Sequence, residues 1–133
     1  MTNEKGLVEL LRKAGYPEKA IDYYIRKLNV GVIEGAEAVD SFTGLCGDSM
    51  KVYLKVDESI IEDAKFQAIG CAGAFSSGSA LTEMIKGKTL KEAEKITEHD
   101  LIKHLEGLPG PKLHCARLAV DALRKSIESY MKR

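Results

Sequence analysis

Net charge is missing from this chain. Twenty Lys and Arg residues cancel twenty Asp and Glu across 133 residues, so no overall field gathers nucleic acid or an anionic lipid surface. The basic residues are scattered rather than collected into one stripe, which also argues against a nucleic-acid partner. Long apolar runs are missing too, and with them any segment able to cross a bilayer as a helix. The opening residues, MTNEKGLVELLRKAG, include Glu4 and Glu9 and lack the apolar stretch and small-residue cleavage site of a secretory signal. They are neither Ser-rich nor acid-free, as a transit peptide would be. The expected location is therefore the reducing cytoplasm, where thiols persist. Cysteine is scarce: there are three, an odd number with no C-x-x-C pair, so a disulfide framework is disfavoured. Internal repeats and low-complexity stretches are absent.

What is present is an ordinary globular balance, 44% apolar and 30% charged. The length suits one domain, 1–133, large enough to fold around a single core without disulfide staples. Within it we expect an N-terminal helical region, 1–30, and a core, 31–133. Leu7, Leu10, Leu11 and Ala14 recur at helical spacing before Gly15, and Pro17 opens a second run with Ile21, Tyr24, Ile25 and Leu28. Asn29 and Gly31 end it.

Residues 36–43 form a weak strand candidate. Residues 50–56 form a clear one, with Met50, Val52, Leu54 and Val56 alternating against Lys51, Tyr53 and Lys55. After a turn at Asp57-Glu58-Ser59, residues 60–69 alternate again through Ala64, Phe66 and Ala68. Short links demand an antiparallel meander. From Ala72 the pattern turns helical, with Ala74, Phe75, Leu81, Met84 and Ile85 as apolar positions and Gly87 as the stop. Thr89-Leu90-Lys91-Glu92 is a capping box for a helix through Ile96, and Thr97 caps another that ends at Gly107. Leu108-Pro109-Gly110-Pro111-Lys112 reads as an extended loop. A last helix carries Ala116, Val120, Leu123, Ile127 and Tyr130. Met50 and Met84 read as core filler. The fold class is α+β: a small antiparallel three-stranded sheet with helices packed on one face, preceded by N-terminal helices.

Each cysteine falls at the end of an element. Cys46 lies in the loop Thr43-Gly44-Leu45-Cys46-Gly47-Asp48, Cys71 where a strand gives way to a helix, and Cys115 in the first turn of the last helix. Free N–H groups at a helix start favour thiolate, which should help Cys71 and Cys115. Thiolates are the soft anionic ligands that iron–sulfur chemistry needs. Glycines at 44, 47, 70 and 73 let backbone come close to a bulky group. Asp48 offers an oxygen ligand and His114 a nitrogen. A lone cysteine reads first as a small buried hydrophobe; three at Gly- or Pro-marked element ends shift that reading toward ligands. Spacings of 25 and 44 residues match no compact metal motif.

The motifs, however, are ordered like those of a known family. They run from Ile21-Asp22-Tyr23-Tyr24 and Asn29-Val30-Gly31 to Cys46-Gly47-Asp48-Ser49-Met50. They continue through Ile61-Glu62-Asp63-Ala64-Lys65-Phe66, Gly70-Cys71 and Ser76-Ser77-Gly78-Ser79. Lys86-Gly87-Lys88 and Lys112-Leu113-His114-Cys115-Ala116 complete them. From about Pro17 to Tyr130 the chain resembles the U-type iron–sulfur cluster assembly scaffolds, single-domain relatives of the N-terminal part of nitrogen-fixation NifU proteins. The resemblance implies a scaffold, not a turnover enzyme. It accepts sulfur from a cysteine desulfurase, with Cys115 as persulfide acceptor. With iron and electron donors it builds a [2Fe–2S] cluster on Cys46, Cys71 and Cys115, then passes it to acceptor proteins. Asp48 matches the family aspartate that keeps the cluster labile, and His114 and Lys112 match other positions at the site.

Departures accompany the resemblance. Bacterial members read Leu-Pro-Pro-Val-Lys where this chain has Leu108-Pro109-Gly110-Pro111-Lys112, which puts the dedicated Hsp70-type chaperone in doubt. Ile25-Arg26-Lys27-Leu28 replaces Glu-Asn-Pro-Arg. The Cys71–Cys115 interval lacks the insertion of zinc-dependent sulfur acceptors, and no C-x-x-C unit follows. The sequence leaves open monomer or homodimer.

Other readings compete. A zinc-binding sulfurtransferase would use the same thiolates with Asp48 or His114, a tetrahedral set zinc accepts, so zinc in the cluster-free form is expected to be compatible. A purely regulatory binder of the desulfurase is a third class. Gly73-x4-Gly78-Ser79 lacks the lysine of a phosphate loop. His99 and His104, five residues apart, do not share a helix face and read as solvated. A Cys115–His114 hydrolase is weak, because catalytic pairs are rarely sequence neighbours.

Overall fold

The structure, a computed structural model, describes residues 4–133. Helices α1 (Glu4–Lys13) and α2 (Glu18–Arg26) open it, followed by strands β1 (Ala38–Thr43), β2 (Ser49–Asp57) and β3 (Ile60–Ile69). Helices α3 (Ala72–Ile85), α4 (Leu90–Glu94) and α5 (Glu98–Leu105) come next. A one-turn 3-10 segment, Gly110–Lys112, then leads into α6 (Leu113–Met131). The sheet is an antiparallel meander in the order β1-β2-β3, as the short links required.

Alternation in β2 buries Met50, Val52, Leu54 and Val56 on one face, and the register sets Val52 opposite Phe66 and Leu54 opposite Ala64. A bulge at Lys55/Val56 shifts the phase, so that Ile61 and Ala64, three residues apart, both point inward. Glu58 and Ser59 turn the hairpin with φ of 51° and 66°, the left-handed pair a two-residue hairpin requires.

Helices α3 and α6 lie on the buried face. Ser126 on α6 donates to Val52 O at 2.9 Å and accepts from Asp40 N at 3.1 Å, tying the helix to β2 and to the β1 edge. Gly78 on α3 is where the helix meets the Phe66 ring. A Cβ there would sit 2.6 Å from Phe66 Cδ2, so the bare glycine sets how closely α3 approaches the sheet. Thr89 and Thr97 both cap helices through reciprocal capping boxes, with Glu92 and Asp100 as partners.

Four local expectations are corrected. The helix after Thr89 ends at Glu94 rather than Ile96, because the next cap follows at once. The Leu108–Lys112 stretch is not wholly extended. Pro111 enters a 3-10 turn, where its fixed φ fits and its missing N–H costs nothing. Leu10 is 66% exposed, and Ala14 is exposed; Leu11 alone of the α1 set is buried, since α1 touches the body along a narrow stripe. Tyr53, on the outer sheet face, is only 7% exposed, its hydroxyl donating to Gln67 at 2.7 Å and its ring beneath Lys51.

Candidate metal centre

Three segments meet at one end of the sheet. The first is the 44–48 loop, closed by Gly44 N–H to Asp48 O at 2.8 Å and Gly47 N–H to Gly44 O at 3.0 Å. Gly47, at φ 91°, makes that turn possible. The loop leaves Cys46 exposed at its tip and carries Asp48 inward, half-buried. The second is the start of α3, where Cys71 is the N-cap in extended backbone. The third is the start of α6, where the 3-10 turn delivers Lys112, His114 and Cys115.

Their side chains converge. Cys71 Sγ lies 3.6 Å from Cys115 Sγ, and His114 Nε2 lies 3.8 Å from Cys115 Sγ. Two ligand sets follow, each with its donor atoms within 4.8 Å of one another: Cys46, Asp48 and His114 toward solvent, and Asp48, Cys71 and Cys115 within. Asp48 belongs to both and joins them. Glycines make this approach possible: a Cβ on Gly70 would sit 2.7 Å from Asp48 Oδ2, and one on Gly73 would sit 3.0 Å from Cys115 Sγ.

The two inner thiols are electrostatically unequal. At Cys71 burial opposes the thiolate, but the N–H of Ala74, the Cys115 thiol, the N–H of Gly73 and Lys112 together hold its pKa below the ordinary thiol value. Cys115 is fully buried. Burial, then Cys71 and Asp48, push its thiol up to about 12 against the pull of Lys112. The expectation that a helix start would favour thiolate at both is therefore corrected at Cys115: desolvation and a like-charged neighbour outweigh the helix end. The two thiols titrate as one coupled pair, and ionising either makes the second proton harder to lose. A cation bound between them would favour the thiolate at both.

One residue escaped the sequence reading. Tyr16, between Gly15 and Pro17, looks like linker but is only 7% exposed. Burial first, then the nearby Cys71 and Cys115, push its hydroxyl up to about 12. No periodicity marks such a residue.

His99 is exposed, as expected. His104 is not free in solvent: it is half-buried, with Nε2 2.8 Å from the Tyr23 hydroxyl. Lys112 stands beside the two inner thiols as the nearby positive charge. A cleft of about 570 Å³ adjoins Cys46 and His114, walled by Phe42, Leu45, Arg117 and Leu118. No helix among the described residues is long and apolar enough to cross a membrane.

Comparison with known proteins agrees with this geometry. A family model described as the NifU-like N terminal domain matches residues 15–133, and the chain belongs to that family. It is 47% identical over 120 residues to the iron-sulfur cluster assembly scaffold protein IscU of Escherichia coli K12, covering 86% of this chain and 93% of that one. It is 46% identical over 119 residues to IscU 1 of Archaeoglobus fulgidus, covering 89% of this chain and 78% of the relative. Among solved structures, an iron-sulfur cluster assembly scaffold protein for the SUF system from Fervidobacterium islandicum AW-1 matches with TM-score 0.71 at 28% identity, covering 84% and 96% of the two chains. The N-terminal part of a NifU-like protein from Brucella abortus matches with TM-score 0.73 at 19% identity, covering 92% and 99%, and speaks to the fold.

Proposed function

We propose that this protein is a scaffold on which an iron–sulfur cluster is assembled and from which it is handed on. The observation that carries the reading is the meeting of Cys71 and Cys115, sulfurs 3.6 Å apart, with Asp48 shared between them and the outer pair Cys46 and His114. Soft thiolates backed by one oxygen and one nitrogen donor suit iron in a cluster. Relatives at 46% and 47% identity are named as such scaffolds.

In finer terms, Cys46, Cys71 and Cys115 hold a [2Fe–2S] unit as cargo, with Asp48 or His114 as the exchangeable fourth ligand. The cluster leaves because that ligand is not a thiolate. Cys115 takes the outer sulfur of a desulfurase persulfide, and the desulfurase thiolate is released. Lys112 steadies the negative charge that gathers there. The partners are a cysteine desulfurase, donors of iron and electrons, and acceptor proteins. The whole chain acts as one domain, a helical region 1–30 and a cluster-binding core 31–133. It is a carrier rather than a turnover enzyme, working in a reducing cytoplasm that keeps its thiols free.

A second reading has its own support. The inner set of two sulfurs and one carboxylate is compact enough for a single tetrahedral ion, and zinc accepts such donors. Anaerobic reconstitution with iron, cysteine and a desulfurase separates the two. The scaffold gives visible charge-transfer absorption and a diferric Mössbauer pattern, both lost in Cys71→Ser. Stoichiometric zinc with stimulated desulfurase turnover and no cluster would favour sulfur transfer.

A further inference from the structure

The apolar face of the sheet stays open at its metal-centre end. Phe42, near the end of β1, pairs with Met50 of β2 and so projects to the same inner face. Met50 is buried there, whereas Phe42 is only half-buried. The space it borders is the cleft of about 570 Å³, which Leu118 of α6 and the wholly exposed Leu45 also line. A Cβ on Gly44 would lie 3.7 Å from Leu118 Cδ1 and 3.9 Å from Cys46 Sγ. Apolar lining and exposed thiol therefore meet at one backbone position. The volume falls in the range of small-ligand pockets, about 300–1,000 Å³, and has room for a short peptide segment.

The rim narrows the choice of occupant. Cys46 and His114, which line the cleft, belong with Asp48 to the outer ligand set. Arg117 stands at the same rim, exposed and held by long contacts, 3.7 Å to Glu98 and 3.6 Å to Asp121, which shares the lining. A protein that takes the cluster must bring its own thiolate to the metal, and the outer set holds the ligands such a group can replace. An anionic sulfur arriving there passes between Arg117 and His114, which suits its charge. A sulfur donor must instead reach Cys115, which is fully buried and belongs to the inner set.

We propose that this cleft seats a large apolar side chain flanking the incoming cysteine of the recipient protein, and so selects recipients that carry such a residue. The proposal rests on the scaffold reading. The seated cysteine sheds its proton and forms an Fe–S bond as the bond from iron to Asp48 or His114 breaks. The displaced ligand leaves with its electron pair and takes the proton, and no electron changes hands.

Disulfide capture at Cys46 of the metal-free full chain tests the cleft without iron. Acetylated tripeptide amides with phenylalanine on either side of cysteine compete with counterparts carrying serine, all supplied as mixed disulfides in excess 2-mercaptoethanol. They compete for one thiol, so its own reactivity cancels in the ratio. A phenylalanine peptide should be retained about tenfold over its serine counterpart, as partial burial of an aromatic side chain implies. Gly44 lies outside the left-handed region, so Gly44→Leu fills the cleft without backbone strain and should bring the ratio near unity. Leu45→Ser removes an exposed part of the lining, spares the fold, and should lower the ratio about threefold. No preference in the parent, or one that neither variant moves, would overturn the cleft. Cluster transfer then tests the occupant. Gly44→Leu should slow transfer to an apo-ferredoxin bearing an apolar residue beside a cluster cysteine about tenfold, and leave sulfur loading by the desulfurase unchanged. Slowed loading would assign the cleft to the desulfurase, and loss of a dimer in sedimentation would assign it to a second copy; either overturns the proposal. If the parent assembles no cluster, the scaffold reading fails while the peptide ratio still decides the cleft.

Discussion

Cys71 Sγ and Cys115 Sγ lie 3.6 Å apart although 44 residues separate them in sequence. One caps α3 and the other begins α6, so the distance is set by how these two helices pack on the sheet. Neither loop nor local motif brings them together. The pair shares charge unequally, Cys71 lowered and Cys115 raised, and a metal ion that replaces the retained proton gains from both.

Gly70→Ala should weaken metal binding without unfolding the protein. The new Cβ would sit 2.7 Å from Asp48 Oδ2 and 3.2 Å from Ala74 Cβ, so the carboxylate must leave its place between the two ligand sets. We expect roughly a tenfold loss of affinity, the usual effect of misplacing one support of a metal site. Competition for cobalt, followed by its thiolate absorption, measures it. Unaltered cobalt affinity would mean that Asp48 is not a ligand.

Asp48→Ala should let a cluster form but release it more slowly, by roughly tenfold, because the exchangeable oxygen donor common to both sets is gone. Transfer to an apo-ferredoxin, timed by circular dichroism, is the measurement. Transfer as fast as in the parent would remove Asp48 from the release step.

Gly78→Ala should destabilise the fold. The added methyl would overlap the ring of Phe66, itself fully buried, and forced overpacking of this kind costs about 1–3 kcal/mol. Better helix propensity returns at most about 1 kcal/mol. Urea unfolding should therefore show a lower midpoint with an unchanged slope. A raised midpoint would mean that α3 can back away from the sheet without loss.

Through the half-buried His104 ring the fold should lose stability in acid. Burial first, and then Lys19, lower the imidazole pKa below its ordinary 6.5, with Glu83 opposing. Tyr23 meets the ring on the same side, with Arg26 over the Tyr23 ring and Asp22 close by. The folded state binds a proton less readily than the unfolded one, so stability from this group is full above pH 6.5 and is lost as pH falls below it. Between pH 7.5 and pH 5.5, chosen to bracket that ordinary value, Tm should fall further in the parent than in His104→Gln, in which the titrating group is absent. Parallel Tm curves would contradict this.

Much of the fold was legible because its signals are local. The alternation of Met50, Val52, Leu54 and Val56 needs only neighbours two residues apart, and the Thr89–Glu92 box needs one turn of helix. Element ends were less legible: α4 stops early because Thr97 starts another helix, and Pro111 enters a 3-10 turn rather than extended chain. The ligand candidates Cys46, Asp48, Cys71, His114 and Cys115 stand out by residue chemistry, element ends and family likeness together. Tyr16 and the Tyr23–His104 contact escaped, since nothing in a run of letters shows a side chain folding back across 80 or so positions.

Sequence alone, then, decided which stretches are strand and helix and which atoms are able to bind a soft metal, because those properties belong to a residue and its near neighbours. Tertiary structure alone decided that Asp48 serves two ligand sets, that Cys115 is buried while Cys46 is open, and that Tyr16, between a glycine and a proline, is buried. Burial and Coulomb energy depend on distance through space, and only packing turns separation along the chain into such a distance.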